Sequence, residues 1–454
     1  MLSYVSSQIL DYRPPEAFID LFLAQDYAIG FLSDGGLEGR YSYLAAHPTH
    51  IGSVMKGTFA EIKSKLSAYI EPLQAAPHLD LPPFSGGVVG LSSFELGLSI
   101  EGLEHDAFRL GSTDWPELSL MVFPAVLAFD HHKQRLLAIG RGANNDEALA
   151  RRDQLLAFIT SQSAPDLRPQ RPFCAELIED VRPNEATFQT KVADLVERIR
   201  SGDLFQANLA RALKGRLTGT HQPAHVLSAL MSAGPAPFAA FFKSGLKVIV
   251  SNSPERFIRL DAHRQIKTMP IKGTRPRGDT PEQDRALAAE LLASEKDCAE
   301  NLMIVDLMRH DVSKVAKPGS VQVSALCALM SFPSVHHLVS TIEAELLPDM
   351  TAADLIMATH PPGSISGAPK IAALKVITAV EAARGPYCGS LFYVDATGAM
   401  DSNVLIRTLV FEQIDQVWHF RLCAGGGIVA YSDPEDEFIE TQNKLALIRD
   451  QLLK

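Results

Sequence analysis

Lys272 lies in Met269-Pro-Ile-Lys-Gly-Thr-Arg-Pro-Arg277, followed by glycine and flanked by two prolines. Those neighbours predict a fixed, non-helical backbone path. An amine held this way in a partly dry pocket loses its proton nearer neutrality and becomes a nucleophile. From this segment alone, a solvated lysine in a surface loop is the better reading; the rest of the sequence reverses that order. Acids with helical spacing come next. Asp297 and Glu300 share one face of an apolar segment running to Arg309, and Glu437, Glu440 and Lys444 share another in Asp433 to Lys444. Carboxylates beside apolar sequence must be solvated, paired or bound to a cation. Oxygen-only ligands favour Mg²⁺, although helix acids paired with Lys or Arg satisfy the same spacing. No HExxH and no Cys/His zinc spacing occurs.

Anion contacts are expected from three further places. Cys423-Ala-Gly-Gly-Gly-Ile-Val429 is read as a glycine-rich turn whose N–H groups can close on an anion; it is neither a Walker A loop nor a dinucleotide fingerprint. Pro361-Pro-Gly-Ser-Ile-Ser-Gly-Ala-Pro-Lys370 leads into a predicted helix over 370–381, with Ser364 and Ser366 as donors. Arg407, inside the strand-like run Val404 to Val410, needs a partner that a dianionic substrate would supply.

The elements positioning these groups read as mixed α/β. Short apolar runs broken by Gly and Pro fill 1–160, among them Arg40 to Ala45, Gly86 to Leu91 and Leu118 to Phe123. Ser161 to Pro172 is a candidate linker with three prolines. Beyond it, helical patterns such as Glu185 to Arg200 alternate with strand-like runs such as Leu246 to Ser251 and Trp418 to Cys423. With 454 residues, 46% of them hydrophobic, the chain can bury a large core. A net charge of -11 argues against a nucleic-acid surface. The five cysteines form neither a CxxC pair nor a disulfide framework, and no apolar stretch is long enough to span a bilayer. With no apolar secretion signal at the start, a soluble, cytoplasmic protein is expected.

Several of these segments, taken in order, closely resemble the chorismate-utilising enzymes, specifically the component I branch of aminodeoxychorismate synthase. They are Gly202-Asp-Leu-Phe-Gln-Ala-Asn208, Ser253-Pro-Glu-Arg-Phe257, Pro270-Ile-Lys-Gly-Thr274, Glu300 to Arg309, Gly363 to Lys370, Ile406-Arg-Thr408 and Ala424 to Val429. The resemblance is strong over 175–454 and rests on Gly39-Arg-Tyr-Ser-Tyr-Leu44 before that. It implies an anthranilate synthase component I-like fold of α/β (α+β) type, with a two-sheet core and peripheral helices. The N-terminal region, 1–165, would interleave with a chorismate-binding catalytic domain over 175–454.

The resemblance further implies that Glu300 and Glu440 bind Mg²⁺, with Asp297 and Glu437 as neighbouring acids. Arg407, Tyr393 and Gly425, Gly426 and Gly427 would hold the enolpyruvyl side. Ser364 and Lys444 would add polar contacts, and His337 would lie near the ring. Glu255 would be the general acid/base, unless it merely pairs with Arg256. Lys272 is expected to attack ring carbon 2 with loss of the carbon 4 hydroxyl, assisted by Glu255 and Mg²⁺. Ammonia would then add at carbon 4, giving 4-amino-4-deoxychorismate. Gln206 stands where isochorismate and salicylate synthases place a water-activating lysine, so water is not the expected nucleophile. No Gly-x-Cys-x-Gly elbow is present, so ammonia must come from a glutamine amidotransferase subunit. A separate aminodeoxychorismate lyase would act downstream, towards 4-aminobenzoate and folate. Leu32-Ser-Asp34 departs from the Leu-Glu-Ser of tryptophan-inhibited relatives, so tryptophan inhibition is not expected. Anthranilate synthase component I is the near alternative; a lysine Schiff-base lyase and a non-catalytic binding subunit are the distant ones.

Overall fold

The computed structural model describes residues 2–36, 38–78, 80–103, 113–161, 175–332 and 335–452. The expected linker lies outside the described residues, apart from its first residue. Two large sheets form the body, and every described pairing of named strands is antiparallel. One is twelve-stranded. Its middle runs from Tyr27–Leu32 through Phe238–Ser244, Lys247–Ser253, Thr408–Ile414 and Val417–Ile428 to Gln206–Leu217. The other is ten-stranded, starting with Ile271–Pro276 beside Val335–Glu345 and ending with Ser390–Asp395, Gly87–Ser92, Leu118–Phe123 and His50–Val54. In each sheet the strands from before the expected linker form one block and those from after it the other, joined where Tyr27–Leu32 pairs with Phe238–Ser244 and where Gly87–Ser92 pairs with Ser390–Asp395.

Period-two alternation distributes the strand residues between cores. Phe242, Ile29 and Tyr43 of the first sheet meet Val89, Leu391 and Tyr393 of the second in one buried cluster, so the sheets pack on each other. The adjacent Phe241 and Ala28 turn to the far side, against helices that include Pro223–Ala233. Phe392 and Val394 turn to the far side of the second sheet, against Glu295–Ser313, Ala352–Thr359 and Lys370–Val380.

Local chemistry sets the ends of the two acidic helices. Ser294 caps Glu295–Ser313 by accepting from the Asp297 N–H at 3.2 Å. Pro434 opens Pro434–Leu452, and Asp433 accepts from the N–H groups of Glu435 and Asp436 at 2.9 and 3.2 Å. Both place acids at the positive end of the helix dipole. Among the described residues, no helix is long and apolar enough to cross a membrane.

Candidate active site

Lys272 sits in a β-bulge. Ile271 pairs with Val339 and Thr274 with His337, leaving Lys272 and Gly273 outside the regular register. Gly273 has φ +86, and a Cβ there would stand 3.0 Å from Asp297 Cβ and Leu291 Cδ1. Glycine is therefore required, and the bulge aims the lysine into a cavity of about 560 Å³. Around the same cavity lie Glu255, Asp297, Glu300, His337, Ser364, Arg407, Gly425, Gly426, Gly427, Glu437, Glu440 and Lys444. Lys272 and Lys444, 172 positions apart, border one cavity because the edge of the second sheet faces the strand Val417–Ile428 and its helix.

The three glycines are not a turn. They are strand residues, paired with Ala210, Leu209 and Asn208, and none has a positive φ. Their small size serves close approach. A Cβ on Gly427 would fall 1.9 Å from Gln206 Nε2 and 3.3 Å from Lys272 Nζ; one on Gly426 would fall 3.0 Å from Glu437 Oε2 and 3.4 Å from Glu440 Oε1. Arg407 also departs from expectation. It precedes the strand Thr408–Ile414 at a bend with φ +50 instead of lying within a strand. Its guanidinium has no ion pair among the described residues, and burial pulls its pKa below the ordinary value. A guanidinium so placed can donate charge-assisted hydrogen bonds to a carboxylate.

Electrostatics separates the acids. Burial raises Glu255 to about 7, against the opposing pull of a Ser364 hydrogen bond and of Lys272. Arg256 does not neutralise it, being held by Glu38 and, at 2.9 Å, by Asp401. Glu437, buried, is also raised to about 7, although Ser432 donates to it at 2.7 Å. Burial raises Glu300 too, and the Tyr431 hydroxyl approaches it at 3.4 Å. For Glu440 burial acts upwards, but Lys444, at 2.5 Å, together with Lys272 and Lys296 holds it below the ordinary range. Glu440 and Lys444 are half exposed by area because they border the open cavity. Lys444 also donates to the Gly425 carbonyl at 2.8 Å. Asp297 is engaged by Arg275 at 3.4 Å.

Lys272 itself is half-buried by area, yet burial is the chief influence on its amine and lowers its pKa; Lys444 adds to this, while Glu300, Glu255 and Glu440 oppose it. His337, 4% exposed, is pushed down to about 4 by burial and Arg407 and is neutral at pH 7; its Nδ1 meets Thr274 Oγ1 at 2.8 Å. Gln206 lies behind Gly427, fully buried, with neither amide atom partnered.

Tyr393 is not brought to this site. In the strand Ser390–Asp395 its parity turns it between the sheets, where it packs on Phe84, Phe31 and Tyr43 at 4.7, 5.4 and 5.7 Å. It lines a second cavity, also about 560 Å³, with Leu32, Glu38, Arg40 and Arg256. The converging amine and carboxylates make the first cavity the candidate active site. Reasoning from sequence missed Asn208, Thr274, Lys296, Arg384 and Tyr387, all on its walls. Thr274 and Lys296 adjoin residues already singled out, whereas nothing in the sequence marks Arg384.

Glu300 and Glu440 offer hard oxygen donors from two helices facing one space, beside Glu437, which burial raises and the charges of Glu440 and Glu300 raise further. Among the described residues, no group of three or more His, Cys, Asp or Glu side chains has metal-ligand spacing. One or two protein carboxylates plus substrate and water oxygens is nevertheless the set Mg²⁺ takes, so these residues fit it.

Two packed antiparallel sheets, with a lysine and paired acids converging at one edge, define the class. The chain belongs to the chorismate binding enzyme family, whose model matches residues 36–450. It is 39% identical over 381 residues to aminodeoxychorismate synthase component 1 of Klebsiella aerogenes, covering 84% of this chain and 80% of that protein. It is 36% identical over 445 residues to anthranilate synthase component 1 of Thermus thermophilus, covering 93% and 92% respectively. The solved structure of anthranilate synthase component I from Streptococcus pneumoniae superposes with a TM-score of 0.76 at 28% identity, over 91% of this chain and 93% of that one.

Proposed function

We propose that this chain is the aminating component of an aminodeoxychorismate synthase, converting chorismate and ammonia to 4-amino-4-deoxychorismate. The observation that carries the reading is Lys272, an amine turned by a bulge into a cavity it shares with a protonatable glutamate. Similarity to aminodeoxychorismate synthase component 1 supports it.

Arg407 binds the enolpyruvyl carboxylate, with the backbone of Gly425–Gly427 beside it. Glu300 and Glu440 hold Mg²⁺, which supplies positive charge for the ring carboxylate. The neutral Lys272 amine attacks ring carbon 2. As the carbon–nitrogen bond forms, the two ring double bonds shift and the carbon 4–oxygen bond breaks. Glu255 gives its proton, so the hydroxyl departs as water, and its carboxylate then takes the proton that the new secondary amine sheds. Ammonia next bonds to carbon 4, the double bonds shift back, and the lysine leaves carrying its electron pair and one returned proton. The sum is chorismate plus ammonia giving the amino product plus water. Neutral His337 packs by the ring without adding charge. Gln206, a poor base, leaves water unactivated. A glutamine amidotransferase partner supplies the ammonia, and a separate lyase consumes the product.

A second reading, anthranilate synthase component I, is supported by the Thermus thermophilus relative. Incubation with chorismate, Mg²⁺ and ammonium salt separates the two. An amino product that keeps its enolpyruvyl group, formed far more slowly by Lys272→Ala, is expected. Anthranilate with one pyruvate per turnover would refute the aminodeoxychorismate assignment.

A further inference from the structure

Asn301 follows Glu300 in the acidic helix, but it enters the contact with the second sheet and is fully buried. Its Nδ2 donates to the Leu338 carbonyl at 3.4 Å, and its Oδ1 accepts from the Ser340 hydroxyl. Ser340, equally buried, makes two more bonds. Its N–H donates to the Pro270 carbonyl at 3.2 Å, and its Oγ accepts from the Cys327 N–H at 2.9 Å. Cys327 has φ +48 in an irregular stretch between Ala325 and Ala328, where its N–H has left the ladder. The Ser340 hydroxyl satisfies that orphan donor while its own proton goes to Asn301.

The knot ties together the three segments that carry Lys272, His337 and Glu300. Pro270 is two residues before Lys272, Leu338 follows His337, and Asn301 follows Glu300. Apolar packing of Ile304 and Val305 under the same helix is non-directional and tolerates small slides. Directional bonds in a dry interior do not. We propose that Asn301 and Ser340 are positioning residues for the reaction, setting where Glu300 stands relative to Lys272 and His337. This rests on reading the cavity as the chorismate site.

Three variants test it: Ser340→Ala, Ser340→Thr, and Asn301→Leu combined with Ser340→Ala. Each is followed by chorismate consumption and by thermal midpoint. A misplacement of about 1 Å costs on the order of a hundredfold, so Ser340→Ala is expected to lower kcat at least tenfold with KM within about twofold. Ser340→Thr, which keeps the hydroxyl, is expected to stay within about threefold of the parent. The double variant removes both members of the Ser340–Asn301 bond but still leaves the Cys327 N–H without its acceptor, so its midpoint should recover in part while its kcat does not. Recovery of kcat together with the midpoint, or a parental kcat in Ser340→Ala, would overturn the proposal. Hydrogen exchange gives a readout independent of turnover. Ser340→Ala should speed exchange in both 266–275 and 295–303, and a change confined to the surroundings of Cys327 would overturn the proposal. The mass of the product separately tests the aminodeoxychorismate reading, so the two can fail apart.

Discussion

Replacing Glu255 by glutamine should stabilise this protein at alkaline pH while disabling it. The carboxyl is 5% exposed, and burial raises it from 4.5 to about 7 in the folded chain. Unfolded, it ionises near 4.5. The folded state therefore binds the proton more tightly. The resulting stability is fully present below pH 4.5, is lost as pH rises through 7, and does not return above it. A displacement from 4.5 to about 7 is worth at most about 3 kcal/mol. Glutamine has nearly the same shape, can accept from Ser364 and never ionises, so Glu255→Gln escapes that loss. At pH 5 the two proteins should melt together. At pH 8 the variant should melt about 3 °C higher, given the unfolding entropy of a chain this long. Turnover of chorismate should fall by about 10²–10⁴-fold in the variant. In the parent it should decline as pH rises above about 7, where the acid is lost. Differential scanning calorimetry at both pH values, paired with the chorismate assay, reads all three. A melting difference that is independent of pH, or a variant less stable at pH 8, would refute the burial argument.

Other outcomes follow from the same geometry. Glu300→Gln and Glu440→Gln should each raise the Mg²⁺ concentration for half-maximal rate at least about tenfold, and chelation should abolish turnover until Mg²⁺ is restored. Arg407→Ala should raise the KM for chorismate by about 10–100-fold, the worth of one or two charge-assisted hydrogen bonds; an unchanged KM would remove Arg407 from the substrate. Gly427→Ala forces a methyl group to within 1.9 Å of Gln206 Nε2, so it should cost about 1–3 kcal/mol in urea unfolding and slow turnover.

Much of the site was legible in the chain because its signals are local. Lys272 with its glycine and prolines announced an irregular backbone, and the spacing of Asp297 with Glu300 and of Glu437 with Glu440 and Lys444 announced single helix faces. The helix Glu185–Arg200 and the strand Leu118–Phe123 match their expected ranges to the residue, since periodicity and an Asn184 cap are written along the chain. The mixed α/β, two-sheet class was legible through motif resemblance.

What failed depended on partners distant in sequence. Three successive glycines look like a turn until their neighbours, Gln206, Glu437 and Glu440, are seen pressing on a strand. Tyr393 sits in a motif-rich region, but one strand's parity sends it between the sheets, and parity is fixed by the register with Gly87–Ser92. Cys298 and Cys327, scattered in sequence, come within reach of each other because a hairpin folds over a helix. Residue types and spacing thus determined which groups could do chemistry. Only the tertiary structure decided which of them share a dry cavity, because burial and charge proximity, which move Glu255, Glu437 and His337 from their ordinary pKa values, are properties of what surrounds a residue in space.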